Sequence, residues 1–169
     1  MKRITFLALI AIITLASINV DGKTRKVKSN NSSISYEKLV STLAKGRHWN
    51  EKNLVKLGLK KLLKKTSKEE YGTEEWFIYG KNTTATANND WTANLTSTGA
   101  HAFAIEVTLT TDNGTSLYFK EKADHDAFMS CARNSKYYEH NDESENIGCS
   151  FIQSYEYVNG WYVISIHVD

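Results

Sequence analysis

The 169-residue chain contains no proline, although average usage of about 5% would supply about eight. Folding is therefore free of the slow isomerisation of X-Pro bonds. The sequence also lacks the zinc-protease pattern H-E-x-x-H, the nucleophile elbow G-x-S-x-G and a glycine-rich phosphate loop. It carries none of these common signatures of hydrolases and nucleotide-binding proteins. We expect neither a cofactor nor a resident metal.

Long apolar runs are confined to the amino terminus. Two basic residues precede the run Ile4–Leu15, which is almost wholly apolar, and small residues follow it. This pattern predicts a signal peptide over residues 1–22, cleaved between Ala16 and Gly22, and a secreted or periplasmic protein. An uncleaved membrane anchor is the alternative, although the run is short for a spanning helix of about 20 residues.

Cysteine is scarce, with Cys131 and Cys149 as the only two. Two cysteines exclude a dense disulfide framework, and an oxidising compartment favours one bridge between them. Two buried thiols, or one nucleophilic cysteine, are the alternatives. After the signal peptide we expect a flexible basic lead-in over residues 23–34 and a single domain over residues 35–169, because about 147 residues suffice for one core.

Charge is strongly segregated along the chain. Lys23–Lys68 contains fourteen basic and two acidic residues, whereas Glu69–Asp169 contains five basic and sixteen acidic residues. Such polarity points to a partner or to docking between the two halves. Nucleic acid is not expected as a partner, because the chain is predicted to be exported, arginine is scarce and no reading motif is present.

Apolar spacing predicts three helices. The first begins after the N-cap Ser35, and the second covers residues 50–66, with Val55, Leu59, Leu62 and Leu63 on one stripe. The third covers Lys122–Ala132 and is expected to bury Ala123, Ala127, Phe128 and Cys131 on one side.

Alternation with a period of two predicts the strands. Segments Glu75–Gly80, Asp90–Thr96 and Ala102–Thr110 precede a fourth strand, which follows the turn Asp112-Asn113-Gly114. Two further strands flank Asn159-Gly160, and we expect Cys149, Phe151, Tyr155 and Tyr157 to share a face of the first. The predicted fold is α+β, with amino-terminal helices on a mainly antiparallel sheet of about six strands in the order αα-ββββ-α-ββ.

The lysines of the second predicted helix form one candidate site. Lys56, Lys60 and Lys64 are spaced i, i+4, i+8 beside the leucine stripe, which is typical of helices that lie on anionic membrane surfaces. The alternative is an ordinary amphipathic helix that covers the sheet.

The aromatic residues form a second candidate site, because they exceed what one core face readily absorbs. We expect some of them on an open face of the sheet, where they form a recognition surface: Trp76, Trp91, Tyr155, Tyr157 and Trp161. The alternative is that they are core and rim residues.

Candidate catalytic and metal-binding groups are poorly placed. The acidic segment Glu139–Asn146 only partly follows a calcium-loop pattern, and the three residues Asp124-His125-Asp126 point about 100° apart on a helix. We therefore expect a non-catalytic binding module for a protein or glycan. The alternatives are a surface-active protein that binds anionic lipid or polyanion, and a small hydrolase, which would require a cleft containing a histidine, a carboxylate and a nucleophile.

Overall fold

The computed structural model describes residues 34–46, 51–70, 72–88, 91–109 and 114–168. The predicted signal peptide and the lead-in up to residue 33 lie outside these ranges. The described part contains the helices α1 (Tyr36–Leu43), α2 (Glu51–Lys56) and α3 (Lys122–Arg133). None of these helices is long and apolar enough to cross a membrane.

Ten strands accompany the helices: β1 (Lys60–Glu69), β2 (Gly72–Lys81), β3 (Thr83–Ala87), β4 (Ala93–Ser97), β5 (Phe103–Leu109), β6 (Gly114–Phe119), β7 (Tyr138–His140), β8 (Glu145–Ile147), β9 (Ser150–Val158) and β10 (Trp161–Val168). Eight of them form one antiparallel sheet in the order β1-β2-β5-β6-β10-β9-β8-β7, while β3 and β4 pair separately. The mainly antiparallel α+β architecture is confirmed. The order αα-ββββ-α-ββ is wrong, because β1, β3, β7 and β8 were not predicted.

The helices cover one face of the large sheet, here called the helix face. Alternation on the strands supplies its apolar side chains, such as Phe103, Ile105 and Val107 on β5 and Ile164 and Ile166 on β10. From the helices come Leu39, Leu43, Leu54 and Phe128, all fully buried. This cluster is the main core of the described part.

The β3–β4 hairpin covers part of the opposite face, here called the hairpin face. Its Leu95 packs against Trp161 and Val163, and Trp91 lies over Trp76 with ring centroids 6.5 Å apart. The buried indole of Trp76 donates a hydrogen bond of 2.7 Å from Nε1 to Glu106 on β5. This face is thus not the open surface that the sequence suggested.

The end of α1 is held by the turn between β8 and β9. Ser150 donates a buried hydrogen bond of 2.6 Å from Oγ to the carbonyl of Leu43, one of the terminal carbonyls that a helix leaves without an internal partner. Gly148 in the same turn has φ +60°, and a Cβ added there would lie 2.5 Å from the carbonyl oxygen of Ala44. At the other end, Ser35 Oγ accepts the amide of Lys38 at 3.4 Å, which confirms the predicted N-cap.

The lysine-rich segment differs most from its prediction. Only Glu51–Lys56 is helical, and the following residues form β1, so a helix over residues 50–66 is wrong. The cause is sheet pairing with β2, which overrides a local pattern that fits a helix. Strand β1 is an edge of the sheet, and exposed lysines on an edge discourage pairing with a second chain.

Two smaller elements were also predicted inaccurately. Helix α3 buries Phe128, Met129 and Ala132, while Ala123 and Ala127 are exposed, so the helix is rotated relative to the expected face. The acidic segment expected as a loop is instead the β7–β8 hairpin. Its turn is stabilised by Asn141 Oδ1, which accepts the amides of Glu143 and Ser144 at 2.9 Å each.

We predict that Gly148→Ala destabilises the protein by about 2 to 3 kcal/mol. The new Cβ would meet backbone atoms of Ala44 and would occupy a left-handed conformation that costs an L-residue about 1 to 2 kcal/mol. Urea unfolding measures this loss. Gly114→Ala is the control, because its added Cβ would meet nothing within 4 Å. Equal stability of the two variants would contradict the prediction.

We predict that removing lysines from the β1 edge promotes self-association. The triple variant Lys60→Thr, Lys64→Thr, Lys68→Thr should show a mass that rises with concentration in sedimentation equilibrium, because the edge loses its repelling charges. A control with the same loss of charge replaces lysines on and after the helices: Lys38→Thr, Lys45→Thr, Lys56→Thr. If both triple variants associate equally, net charge rather than edge protection is the cause.

Candidate functional site

The five aromatic residues predicted to share a recognition face are divided by the sheet. Trp76 and Trp161 are buried on the hairpin face at 3% exposure each, and Trp91 is half-buried there. Tyr155 and Tyr157 are exposed by 43% and 66%. The tryptophans are therefore core or rim residues, whereas the two tyrosines remain accessible.

A register shift between β9 and β10 separates Phe151 from these tyrosines, although Cys149, Phe151, Tyr155 and Tyr157 were expected to share a face. Phe151 pairs with His167 and Tyr155 pairs with Ile164, although a regular strand would place Phe151 and Tyr155 on the same face. The irregularity lies at Ser165/Ile166 of β10, opposite Ser154 and Ile152. A bulge inserts one extra residue into a strand. The side chains beyond it therefore point to the opposite face of the sheet from the one that a regular strand would give them.

Tyr155 and Tyr157 belong to a row of rings on the helix face. Between ring centroids, Tyr157 lies 4.7 Å from Tyr162, and Tyr162 lies 5.9 Å from His125. His125 lies 6.4 Å from Tyr155 by the same measure. We call Tyr155, Tyr157 and Tyr162 the tyrosine ridge. It runs along β9 and β10 beside the first turns of α3.

The tyrosine ridge borders a pocket of about 520 Å³ between α3 and β9. We call it the α3–β9 pocket; its wall consists of His125, Asp126, Met129, Ser130, Arg133, Asn134 and Tyr155. Five of these residues come from α3, Asn134 directly follows the helix, and Tyr155 lies opposite on the sheet. The pocket combines one aromatic ring with both hydrogen-bond donors and acceptors.

Glu145 of β8 holds two residues of the pocket wall, Arg133 and Tyr155, in position. Its carboxylate accepts hydrogen bonds from the hydroxyls of Tyr138 and Tyr155, and from Arg133 Nη2 at 2.9 Å and Nε at 3.2 Å. Burial alone would raise the pKa of Glu145, but the bonds from Tyr138, Tyr155 and Arg133 outweigh it and lower that pKa. Burial and the bond to Glu145 raise the pKa of Tyr155.

The other acidic residue of the wall is also paired. Asp126 accepts a bond of 2.5 Å from Lys122 Nζ and lies 3.0 Å from His125 Nδ1. These bonds lower the pKa of Asp126, that from Lys122 having the larger effect. Each formal charge around the pocket therefore has a partner of opposite sign.

The neighbouring Asp124 faces away from the pocket. It accepts hydrogen bonds from Tyr36 at 3.1 Å and from His101 Nδ1 at 2.9 Å, and so ties α1, α3 and the start of β5 together. Burial, followed by the charge of Asp124, raises the pKa of Tyr36. Asp124 is therefore engaged with Tyr36 and His101, whereas His125 and Asp126 contact each other.

Within the described residues, no group of three or more histidine, cysteine or acidic side chains is arranged to hold a metal ion. The pocket does bring together His125, Asp126 and a hydroxyl on Ser130. That hydroxyl lies 3.5 Å from Asn134 Nδ2 and makes no hydrogen bond with His125. The wall therefore lacks the contact between nucleophile and base on which serine hydrolysis depends.

The predicted lysine stripe is not formed. Lys56 lies on α2, while Lys60 pairs with Gly80 and Lys64 with Phe77, on opposite faces of β1 after the irregularity at Leu62. Lys64 also forms an ion pair of 2.8 Å with Glu75. These three lysines do not constitute one membrane-facing stripe.

Cys131 and Cys149 are free thiols in the structure, so the expected bridge is not formed. Cys131 is partly buried on α3, and Cys149 is exposed in the turn beside the end of α1. Burial, followed by the charge of Glu37, raises the pKa of the Cys131 thiol.

Comparison with known proteins adds no assignment. No protein-family model matches the chain, and no match is found among curated proteins or among solved structures. Function is therefore inferred from the geometry of this chain.

Sequence reasoning did not identify Glu145, Arg133 or Asn134 as site residues. The sequence did indicate that the residues from α3 share one side of the helix. Their spacing is i, i+4, i+7 and i+8 for Asp126, Ser130, Arg133 and Asn134. Glu145 gave no such signal, since its position beneath Tyr155 depends on the unpredicted strand β8.

We predict that Glu145→Gln lowers the free energy of unfolding at about pH 7 by about 1 to 2 kcal/mol, because a neutral amide weakens three hydrogen bonds. Since the folded-state pKa of Glu145 is depressed, its stabilisation is complete above the ordinary value of 4.5 and is lost as the pH falls through the lower folded-state value.

The stability gap between wild type and Glu145→Gln should therefore narrow as the pH is lowered from about 7 to about 2. Urea unfolding across this range measures the gap. Glu139→Gln, on the exposed side of the adjacent β7, is the control and should remain close to wild type. A gap that stays constant with pH would contradict the role assigned to the Glu145 carboxylate.

Proposed function

We propose that this protein is a non-catalytic binding module, secreted or periplasmic, that engages a protein or glycan through the tyrosine ridge. The observation that carries the proposal is the exposure of Tyr157 and Tyr155 next to a pocket with polar walls. Exported location rests on the signal-like pattern of residues 1–22.

Tyrosine is well suited to this role because its ring offers a large, rigid contact area and its hydroxyl a hydrogen bond. Recognition surfaces are enriched in such residues, and their central members carry most of the binding energy. The row of rings from Tyr157 to Tyr155 is continuous and partly preordered, since Tyr162 and His125 pack between its ends. Ordering before binding lowers the entropic cost of association.

The geometry favours this function over the two alternatives. A surface-active helix would need leucines and lysines on opposite sides of one helix, but the segment after Lys56 forms the edge strand β1. A serine hydrolase would need the hydroxyl of Ser130 in contact with His125, but it lies beside Asn134.

We predict that Tyr157→Ser reduces binding by about tenfold to a hundredfold, the loss typical of a central aromatic residue at an interface. The purified protein would first be screened on an array of immobilised neutral, sialylated and sulfated oligosaccharides and on an array of extracellular proteins. The affinity of wild type and variant for the strongest hit would then be measured by surface plasmon resonance.

Val55→Ser is the matched control, because Val55 is also an exposed apolar residue, at 55% exposure, but lies on α2. It should bind as wild type does. Circular dichroism verifies that both variants fold. Equal binding by the two variants, or the absence of any hit on either array, would contradict the proposal.

A further inference from the structure

The size of the α3–β9 pocket is suited to a small polar ligand. Its volume of about 520 Å³ falls within the range of about 300 to 1,000 Å³ that is typical of small-molecule sites. The pocket also opens beside the tyrosine ridge, so a ligand longer than one unit would continue along Tyr162 towards Tyr157.

The wall offers both kinds of hydrogen-bonding group at short spacing. Asp126 and Asn134 Oδ1 supply acceptors, and Arg133 supplies N–H donors. Asn134 Nδ2 already donates to the carbonyl of Ser130 at 2.8 Å and has a second N–H to offer. Arg133 is exposed by 53% even though Nε and Nη2 bond to Glu145, so its guanidinium remains accessible from the pocket. A ligand that carries several neighbouring hydroxyl groups matches this set, because each hydroxyl is both a donor and an acceptor.

The charges of the wall are balanced. Arg133 is paired with Glu145 at 2.9 Å, and Asp126 is paired with Lys122 at 2.5 Å. Counting both pairs, two positive and two negative charges surround the pocket, so an ionic ligand would find no excess charge of opposite sign. A neutral ligand rich in hydroxyl groups avoids the desolvation cost that an ion would incur there.

The aromatic wall suits the apolar side of such a ligand. A pyranose ring presents C–H groups on one face, and these pack on an aromatic ring while its hydroxyls reach polar groups at the edge. The ring of Tyr155 is held in place because its hydroxyl bonds to Glu145 and the ring packs in a T-shaped arrangement with His125, at 79° between the ring planes. Tyr155 and Arg133 are therefore oriented by the same carboxylate before any ligand enters.

From this combination we propose that the α3–β9 pocket binds a neutral sugar residue of a glycan, with Tyr155 beneath the ring and Asp126, Arg133 and Asn134 bonded to its hydroxyls. This inference rests on the proposed binding function and narrows its ligand from protein or glycan to an uncharged carbohydrate. The remainder of the glycan lies along the tyrosine ridge.

The test uses an array of neutral oligosaccharides together with their sialylated and sulfated derivatives, probed with the full chain and its variants. Wild type should bind neutral members. Asn134→Ala removes hydrogen bonds and should weaken that binding by about tenfold. Asp126→Asn leaves the pocket with one excess positive charge, so it should weaken neutral binding and raise the relative signal of the acidic derivatives.

Glu139→Gln is the matched control, because it makes the same change of net charge on the exposed side of β7, outside the pocket. It should leave the preference for neutral members unchanged. Thermal unfolding identifies any variant that fails to fold. Asp126 is exposed on α3, so Asp126→Asn keeps the proposal testable if Asn134→Ala is unstable.

The outcomes separate this inference from the proposed function. If neutral glycans bind and respond to Tyr157→Ser but not to Asn134→Ala or Asp126→Asn, the pocket assignment is overturned and the binding function stands. If only acidic glycans or only proteins bind through Tyr157, the neutral-sugar assignment is overturned. If no binding depends on Tyr157 or on the pocket, both fail.

Discussion

The candidate site depends on one partly buried carboxylate. Glu145 receives hydrogen bonds from Tyr138, Tyr155 and Arg133, which belong to three different elements. Its charge would be costly to bury alone, and the three donors compensate that cost. Through these bonds the carboxylate orients the ring of Tyr155 and the guanidinium of Arg133, both of which line the α3–β9 pocket. The short strands β7 and β8 thereby supply Tyr138 and Glu145 to this network, although they are a minor part of the sheet.

Each face of the large sheet that carries this carboxylate is covered by a different part of the chain. Helices α1 and α3 lie on one face, and the β3–β4 hairpin shields Trp76 and Trp161 on the other. Burial of the tryptophans leaves the tyrosines of β9 as the exposed aromatic residues on the side of α3. At the β1 edge of the sheet, the lysines discourage the unpaired backbone groups from pairing with a second chain. The β1 edge of the sheet is thus rich in lysine, whereas the tyrosine ridge lies on the helix face of the interior strands β9 and β10.

Local alternation sufficed to predict β2, β5, β6, β9 and β10, because their apolar residues repeat every second position. It failed over residues 60–66, where leucine and lysine fit a helical period equally well and only pairing with β2 decides the outcome. The same limit applies to the site. Tyr155 and Tyr157 were identified as accessible aromatics, but the bulge that separates Phe151 from Tyr155, and the approach of Glu145 to Arg133, arise from contacts between strands and helix. Composition records no such contacts.

Chemical-shift mapping on the isotope-labelled protein would locate the residues that contact a sugar. A neutral oligosaccharide selected from the array would be titrated into the protein, and shifts would be followed residue by residue. We expect the largest changes at Tyr155, Arg133 and Asn134, with smaller changes that extend to Tyr157. Changes confined to β1, or changes spread evenly over the surface without saturation, would contradict this expectation.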